Sequence, residues 1–293
     1  SSGKEKDFKN RTEFKNYLKS KNISFDESKY EIKDVQQDAS IKFAFRNLNS
    51  IIQRLKDHTW ADRVEVYLGT GKTFRHLLSL PTPYKYNRDD LLKPLQLSDV
   101  RKYLMLKHGA KLVRELETDD IITIRAYEEK AKGNYPIICS ADKDAKQSQG
   151  IKVLDFTKDT WDNEEIPIVG NVWKDKNTYR GDGLKFLAFQ VLVGDKVDTY
   201  CGYELSNVKY GPKKAMIALE NATTEQEVLN VLIEQYKILY PEKFTYTDCH
   251  GVFHEDVDWF DMLQLYWTCA YMKRSMDDDS SFVQFAAERG VYL

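Results

Sequence analysis

Three short acidic clusters stand at the edges of apolar segments between residues 117 and 198: Glu117-Thr118-Asp119-Asp120, Asp142-Lys143-Asp144 and Asp195-Lys196-Val197-Asp198. A single acidic pair usually marks a solvated turn or caps a helix N-terminus. Three such clusters constrain the fold more tightly. The first opens an apolar helical pattern (Ile121, Ile122, Ile124, Ala126), and the second follows a strand-like run, Tyr135-Pro136-Ile137-Ile138-Cys139-Ser140-Ala141. The third ends another apolar helix, Phe186-Leu187-Ala188-Phe189-Gln190-Val191-Leu192-Val193-Gly194. Packing these segments together draws the seven carboxylates together as well, namely Glu117, Asp119, Asp120, Asp142, Asp144, Asp195 and Asp198. Crowded carboxylates repel one another unless cations lie between them, so hard, oxygen-ligated divalent ions such as magnesium or manganese are expected there.

A chain of 293 residues is long enough for one large domain with a smaller appendage. No apolar run is long enough to cross a bilayer, so a soluble protein without a membrane partner is expected. The four cysteines, Cys139, Cys201, Cys249 and Cys269, form no CxxC pair, which fits a reduced, intracellular setting. The start Ser1-Ser2-Gly3 lacks a methionine, and upstream sequence is expected to be missing. The net charge of −2 neither favours nor excludes a nucleic-acid partner, because carboxylates committed to metals would mask a basic surface elsewhere.

The order of elements predicts an α/β core followed by helices. Phe43, Leu48, Ile51, Ile52 and Leu55 give a helical spacing over 39–56, and 62–69 alternates like a strand ending in glycine. A helix over 97–107, a strand over 111–114, a helix over 118–132 and strands over 135–141 and 151–156 follow. Such alternation implies a mostly parallel central sheet flanked by helices, with its site at the carboxyl ends of the strands. The polar stretch 157–183 reads as a long loop or insertion. Helices are then expected over 184–194, from 211 to about 220, over 224–239 and near 256–271. The aromatic stripe of the last (Trp259, Phe260, Leu263, Tyr266, Trp267) reads as core. No internal repeat or low-complexity tract is present.

Four strings carry a resemblance: Pro83-Tyr84-Lys85-Tyr86-Asn87-Arg88-Asp89, Glu117-Thr118-Asp119-Asp120, Ser140-Ala141-Asp142-Lys143-Asp144 and Gly194-Asp195-Lys196-Val197-Asp198-Thr199-Tyr200. In this order and at this spacing they resemble the YKxNR, ExDD, (S/T)xDxD and GDxxDN motifs of the 5′ nuclease family. These are the flap endonucleases and 5′-3′ exonucleases, especially the bacteriophage-encoded ones, and the likeness covers roughly residues 60–220. It implies a core like that of PIN domains over 1–185, lacking its first strand, a helix-three-turn-helix DNA-binding region over 186–240 and a C-terminal helical segment over 241–293.

The resemblance implies hydrolysis of phosphodiester bonds in DNA or RNA-DNA duplexes by two Mg2+ or Mn2+ ions about 4 Å apart. Glu117, Asp119, Asp120, Asp142 and Asp144 would serve the first ion and its outer shell, and Asp195 and Asp198 the second. Lys85 and Arg88 would steady the scissile phosphate. Tyr84, Gly211, Lys213 and Lys214 would contact DNA, the last three where a helix N-terminus offers amide donors and positive charge. K+ is a further candidate ligand of the helix-three-turn-helix. The link over 90–96 is too short for a threaded helical arch, so duplex 5′ ends, nicks and gaps are expected as substrates ahead of strict flap selection. A phage-encoded member would act in the host cytoplasm, in DNA replication.

Two departures from the pattern matter. The family's first-strand aspartate is absent from the charged, helix-like opening over 4–33, and Thr70 stands where a second aspartate is usual. The chain is therefore expected to bind DNA and to cut slowly, and a catalytically silent, structure-selective DNA-binding relative is the alternative. Gly69-Thr70-Gly71-Lys72-Thr73 also invites a P-loop NTPase reading, but that pattern needs glycine at position 66, where Val66 stands. Cys249-His250 with His254 falls short of four zinc ligands at recognised spacing and reads as a polar turn.

Overall fold

The computed structural model describes residues 6–33, 35–36, 40–88, 92–158 and 160–293. The chain divides into two compact units, Ser1–Ala39 and Ser40–Leu293. The smaller unit contains α1 (Arg11–Ser20), capped by the Asn10 side chain on the Glu13 amide at 2.9 Å. Its aromatic rings, Phe8, Phe14, Tyr17, Phe25 and Tyr30, pack on one another.

The larger unit begins with α2 (Ile41–Thr59), β1 (Tyr67–Thr73), α3 (Leu97–His108), β2 (Lys111–Glu115), α4 (Thr118–Ala131), β3 (Ile137–Cys139) and β4 (Lys152–Leu154). It continues with β5 (Asn163–Glu165), β6 (Val172–Asp175), β7 (Thr178–Gly181), α5 (Gly183–Val193), α6 (Pro212–Leu219) and α7 (Glu225–Leu239). The last elements are β8 (Phe244–Thr247), β9 (Phe253–Val257), α8 (Trp259–Ala270) and α9 (Phe282–Ala287). This is a mixed α/β fold, and among the described residues no helix is long and apolar enough to cross a membrane.

The expected large parallel sheet is corrected. Among the described residues β1 pairs in parallel only with β2, and β3 in parallel with β4, whose other edge takes β5 antiparallel. The helix α4 packs against both β1 and β3. Glycines interrupt β1, whose pairing slips between Gly69 and Thr73, and β3 and β4 have three residues each, so neither pair offers a long regular edge. The strand read over 62–69 lies further along, and residues 69–73 form its second half rather than a phosphate-wrapping loop. Gly69 is needed there because a Cβ would meet Thr118 Oγ1 at 2.8 Å, which lets β1 approach the start of α4.

The stretch expected to be a loop over 157–183 holds β5 and the β6–β7 hairpin, and the segment before α8 holds the β8–β9 hairpin. A small core of Ala126, Ile138, Ala145, Ile151, Val153 and Ile166 joins α4 to β3 and β4. The main core is helical. Leu184, Phe186, Leu187, Ala188, Val191 and Leu192 of α5 are all buried and pack with α7, α8 and α9 around Tyr236, Tyr266 and Trp267. A helix apolar all round belongs in a protein interior, so the end of α5 places whatever follows it at the edge of that core.

Candidate metal centre

The loop after α5 closes on itself. Asp195 N donates to Tyr200 O at 2.9 Å and Tyr200 N to Asp195 O at 3.2 Å. Gly194, with φ +81°, starts this loop, and a Cβ there would sit 2.1 Å from Tyr200 O. Asp195 accepts the Val197 amide at 2.7 Å, which turns the chain so that Asp195 and Asp198 share one side. On the other side Asp142 ends the segment after β3 and caps a 3-10 turn, Lys143–Gln147, by accepting the Asp144 amide at 3.0 Å. Oxygens of Asp144, Asp195 and Asp198 thereby lie within 4.8 Å of one another. Among the described residues this is the one place where three His, Cys, Asp or Glu side chains come close enough to share a cation.

Two polar side chains set this trio. Gln147 donates to Gln190 Oε1 at 2.6 Å and Gln190 donates to Asp144 Oδ1 at 2.5 Å, an oriented relay from the small core through α5 to the carboxylate. Lys143 Nζ lies 2.6 Å from Asp195 Oδ2 and 3.0 Å from Asp144 Oδ1. Burial raises the Asp144 carboxyl despite that ammonium. At Asp195 burial acts the same way, but Lys143 and the Val197 and Asp198 amides together outweigh it and the carboxyl falls below its usual range.

The start of α4 supplies the neighbouring group. Lys85 Nζ lies 2.6 Å from Glu117 Oε1 and 3.5 Å from Asp198 Oδ2. The Tyr84 hydroxyl donates to Asp198 Oδ2 at 2.8 Å and lies 3.5 Å from Glu117 Oε2. The backbones are laced too, by Lys85 N to Asp198 O at 3.0 Å and Thr199 Oγ1 to Pro83 O at 2.8 Å. Lys85 takes a left-handed φ of +56°, a conformation that costs a non-glycine residue energy and is held here by these contacts. Asp119 is pushed up to about 7, first by burial and then by Asp142, Glu117 and Asp144. Burial likewise raises Asp198. The cluster thus carries negative charge that Lys85 and Lys143 only partly offset.

Asp120 is turned away from this centre. It is fully buried, and Arg75, also fully buried, grips it with Nη1 at 2.6 Å and Nη2 at 2.9 Å. Asp120 also accepts the Glu117 amide at 3.1 Å and the Lys273 amide at 3.2 Å, while Arg75 donates to Cys269 O at 3.1 Å and Tyr271 O at 2.6 Å. This ties the first turn of α4, with Glu117 and Asp119, to the segment after α8. With its oxygens engaged by Arg75 and two amides, Asp120 fixes the position of Glu117 and Asp119 and has no oxygen left to offer a cation.

The other sequence-derived residues scatter. Tyr84 lies inside, 4% exposed, where it has no face to offer DNA, because its hydroxyl is needed between Asp198 and Glu117. Asp142 is exposed at the rim. Arg88 lies in the 3-10 turn Tyr86–Arg88, and Asp89 and Asp90 lie outside the described residues. Gly211 precedes α6, whose Lys213 and Lys214 are exposed, with Lys214 Nζ on Lys209 O at 2.5 Å. The Thr70 hydroxyl donates to Val113 O at 2.6 Å, serving strand pairing. Asp248 gathers the amides of His250 and Val252 and the His254 ring, each at 2.9 Å, in the turn of the β8–β9 hairpin.

Sequence reasoning missed Arg75, Lys143 and Gln190. Gln190 left a signal, as a polar side chain inside an apolar run (Phe189-Gln190-Val191), where burial without a partner would be costly, whereas Arg75, next to His76, left none.

No family model matches the chain, and no curated protein matches it. Among solved structures it is similar to the bacteriophage T5 D15 protein co-crystallised with metal ions, at 21% identity and TM-score 0.45, over 66% of this chain and 74% of that one. A bacteriophage T5 D15 flap endonuclease in a pseudo-enzyme-product complex with DNA and metal ions gives 17% identity and TM-score 0.45, over 67% and 80%. T5 5′-exonuclease with bound divalent metal ions (zinc) gives 19% identity and TM-score 0.43, over 76% and 84%.

Proposed function

We propose that this chain is a divalent-metal-dependent 5′ nuclease that hydrolyses phosphodiester bonds of DNA or RNA-DNA duplexes at 5′ ends, nicks, gaps or flaps. One observation carries the reading: Asp144, Asp195 and Asp198, far apart in sequence, place oxygens within 4.8 Å of one another. The donor set tests the fit of a metal. It is all carboxylate oxygen, suited to hard cations such as Mg2+ or Mn2+, and the elevation of Asp119 to about 7 by burial and by Asp142, Glu117 and Asp144 marks charge left uncompensated. Asp144, Asp195 and Asp198 would hold one ion, and Glu117, Asp119 and Asp142 would have to draw closer together to hold a second. Bound ions would supply Lewis-acid stabilisation of charge on the phosphodiester.

The chain's own residues do the rest. Lys85, ion-paired to Glu117 and near Asp198, is positioned to turn its ammonium to a phosphate once cations take over those carboxylates. Gln190 keeps Asp144 in one orientation, and Arg75 and Asp120 hold the first turn of α4. Residues 186–240 act as the DNA-binding region, with Lys213 and Lys214 at the start of α6 on backbone phosphates and K+ as a candidate ligand of the turns before it.

A catalytically silent DNA-binding relative is the second reading, favoured by one feature: the Thr70 hydroxyl is spent on Val113 O where a carboxylate would add a ligand. Incubation of a 5′-labelled duplex with Mg2+ or Mn2+ separates the two. Cation-dependent release of short labelled products supports the nuclease, and tight duplex binding with no release under either cation supports the silent relative.

A further inference from the structure

The β6–β7 hairpin stands outside the site described so far. Its register pairs Val172 with Gly181, Trp173 with Arg180, Lys174 with Tyr179 and Asp175 with Thr178, around a two-residue turn, Lys176-Asn177. Residues directly opposite one another share a face. The face with Tyr179 and Gly181 is anchored on α5: the Tyr179 ring packs 5.5 Å from that of Phe189, and a Cβ on Gly181 would meet Phe186 at 2.6 Å. Backbone bonds close the base, from Asp182 N to Asn171 O at 3.0 Å, Leu184 N to Ile168 O at 3.1 Å and Lys185 N to Val169 O at 2.8 Å. The hairpin is therefore rigidly joined to the helix whose Gln190 holds Asp144 and whose end leads into Asp195.

The opposite face carries Trp173, Asp175, Thr178 and Arg180. Trp173 is 40% exposed, and Arg180, directly across the ladder, ion-pairs with Asp175 at 2.7 Å. Lys176 in the turn is exposed as well, whereas Lys174, opposite Tyr179, belongs to the α5 side, so this face and its turn set Lys176 and Arg180 against the single carboxylate Asp175. The strand β6 also contacts α6, the helix that begins with Pro212-Lys213-Lys214. A solvent-facing indole beside cations complements bases that expose their π-faces on a phosphate chain; a duplex, with its bases stacked inside, offers no such face.

We propose that the β6–β7 hairpin binds single-stranded nucleic acid, with Trp173 stacking on an unpaired base and Lys176 and Arg180 following its phosphates. The inference rests on the nuclease reading only in requiring that the chain binds nucleic acid, and it makes an unpaired tail beside the duplex part of the substrate. The test is fluorescence anisotropy in EDTA, which prevents cleavage, on the full chain with a blunt DNA duplex, the same duplex with a 5′ single-stranded tail, and the free strand. Trp173→Ala is expected to weaken binding of the tailed duplex and the free strand by roughly 5- to 150-fold and to leave the blunt duplex within about twofold. Trp173→Phe should retain most of the affinity, and Lys176→Ala should weaken the same two ligands.

Equal losses on all three ligands, or no loss for any variant while the parent binds them, overturn the hairpin proposal and leave the nuclease reading standing. A parent that binds none of the three overturns the hairpin proposal, and cleavage with Mg2+ or Mn2+ decides the nuclease reading separately. Should Trp173→Ala unfold, the Phe and Lys variants decide the matter by the same criteria.

Discussion

Asp119→Asn is expected to stabilise the cation-free protein while impairing its response to metal. Asp119 is pushed up to about 7 by burial and by the charges of Asp142, Glu117 and Asp144. A carboxylate raised from its ordinary value of about 3.9 to that level is worth at most ~4 kcal/mol, and screening at its partly open face reduces this to ~1–2 kcal/mol. The folded-state value lies above the unfolded one, so this group destabilises the fold progressively as pH rises from about 4 to about 7, and the full cost persists above that. Below about pH 4 it is protonated in both states and contributes nothing. Thermal unfolding in EDTA should therefore show the variant melting ~2–6 °C above the parent at pH 8, with the gain shrinking towards zero near pH 4. Adding Mg2+ or Mn2+ at pH 8 should raise the parent more than the variant, since a ligand that binds only the folded state at a hundredfold excess over its Kd adds about 2.7 kcal/mol. A variant less stable than the parent at pH 8, or equally more stable at every pH, refutes the picture of crowded, uncompensated carboxylates.

Asp144→Ala should leave the fold intact and reduce Mn2+ binding measured by calorimetry to a small fraction of the parent's. Arg75→Met should cost about 3–5 kcal/mol in urea unfolding, because it strands the fully buried Asp120, whereas Arg75→Met with Asp120→Leu should lose clearly less. Lys213→Ala with Lys214→Ala should weaken duplex binding uniformly across sequences and flatten its dependence on salt by up to about two phosphate contacts, each worth about 0.9 in the logarithmic slope.

The helices were legible where apolar periodicity ran long and a cap was written in the sequence. Thr224 with Glu227 and Asp258 with Asp261 form reciprocal caps at the starts of α7 and α8, where helices were expected. Short strands were not legible. The β6–β7 hairpin lies in a polar stretch with one face open to solvent and with Lys176 in a left-handed conformation where glycine is usual, so neither its pattern nor its turn announces it. In the β8–β9 hairpin the alternation Phe244-Thr245-Tyr246-Thr247 was a usable signal, but it is only four residues long. The convergence of Asp144 with Asp195 and Asp198 was legible as an expectation, because residue type limits what carboxylates can do when packed together. The acidic clusters could not show that Asp120 faces Arg75 or that Tyr84 points inward, since a partner 45 residues away in sequence is a matter of tertiary packing.

The most direct test is cleavage of a duplex labelled at one 5′ end, run beside the same duplex labelled at the 3′ end, with Mg2+, with Mn2+ and with EDTA, for the parent and Asp144→Ala. The proposed function predicts early release of short 5′-labelled products that requires either cation and disappears in EDTA and in the variant. Release that starts from the 3′ label, cleavage that persists in EDTA, or no cleavage with either cation contradicts it.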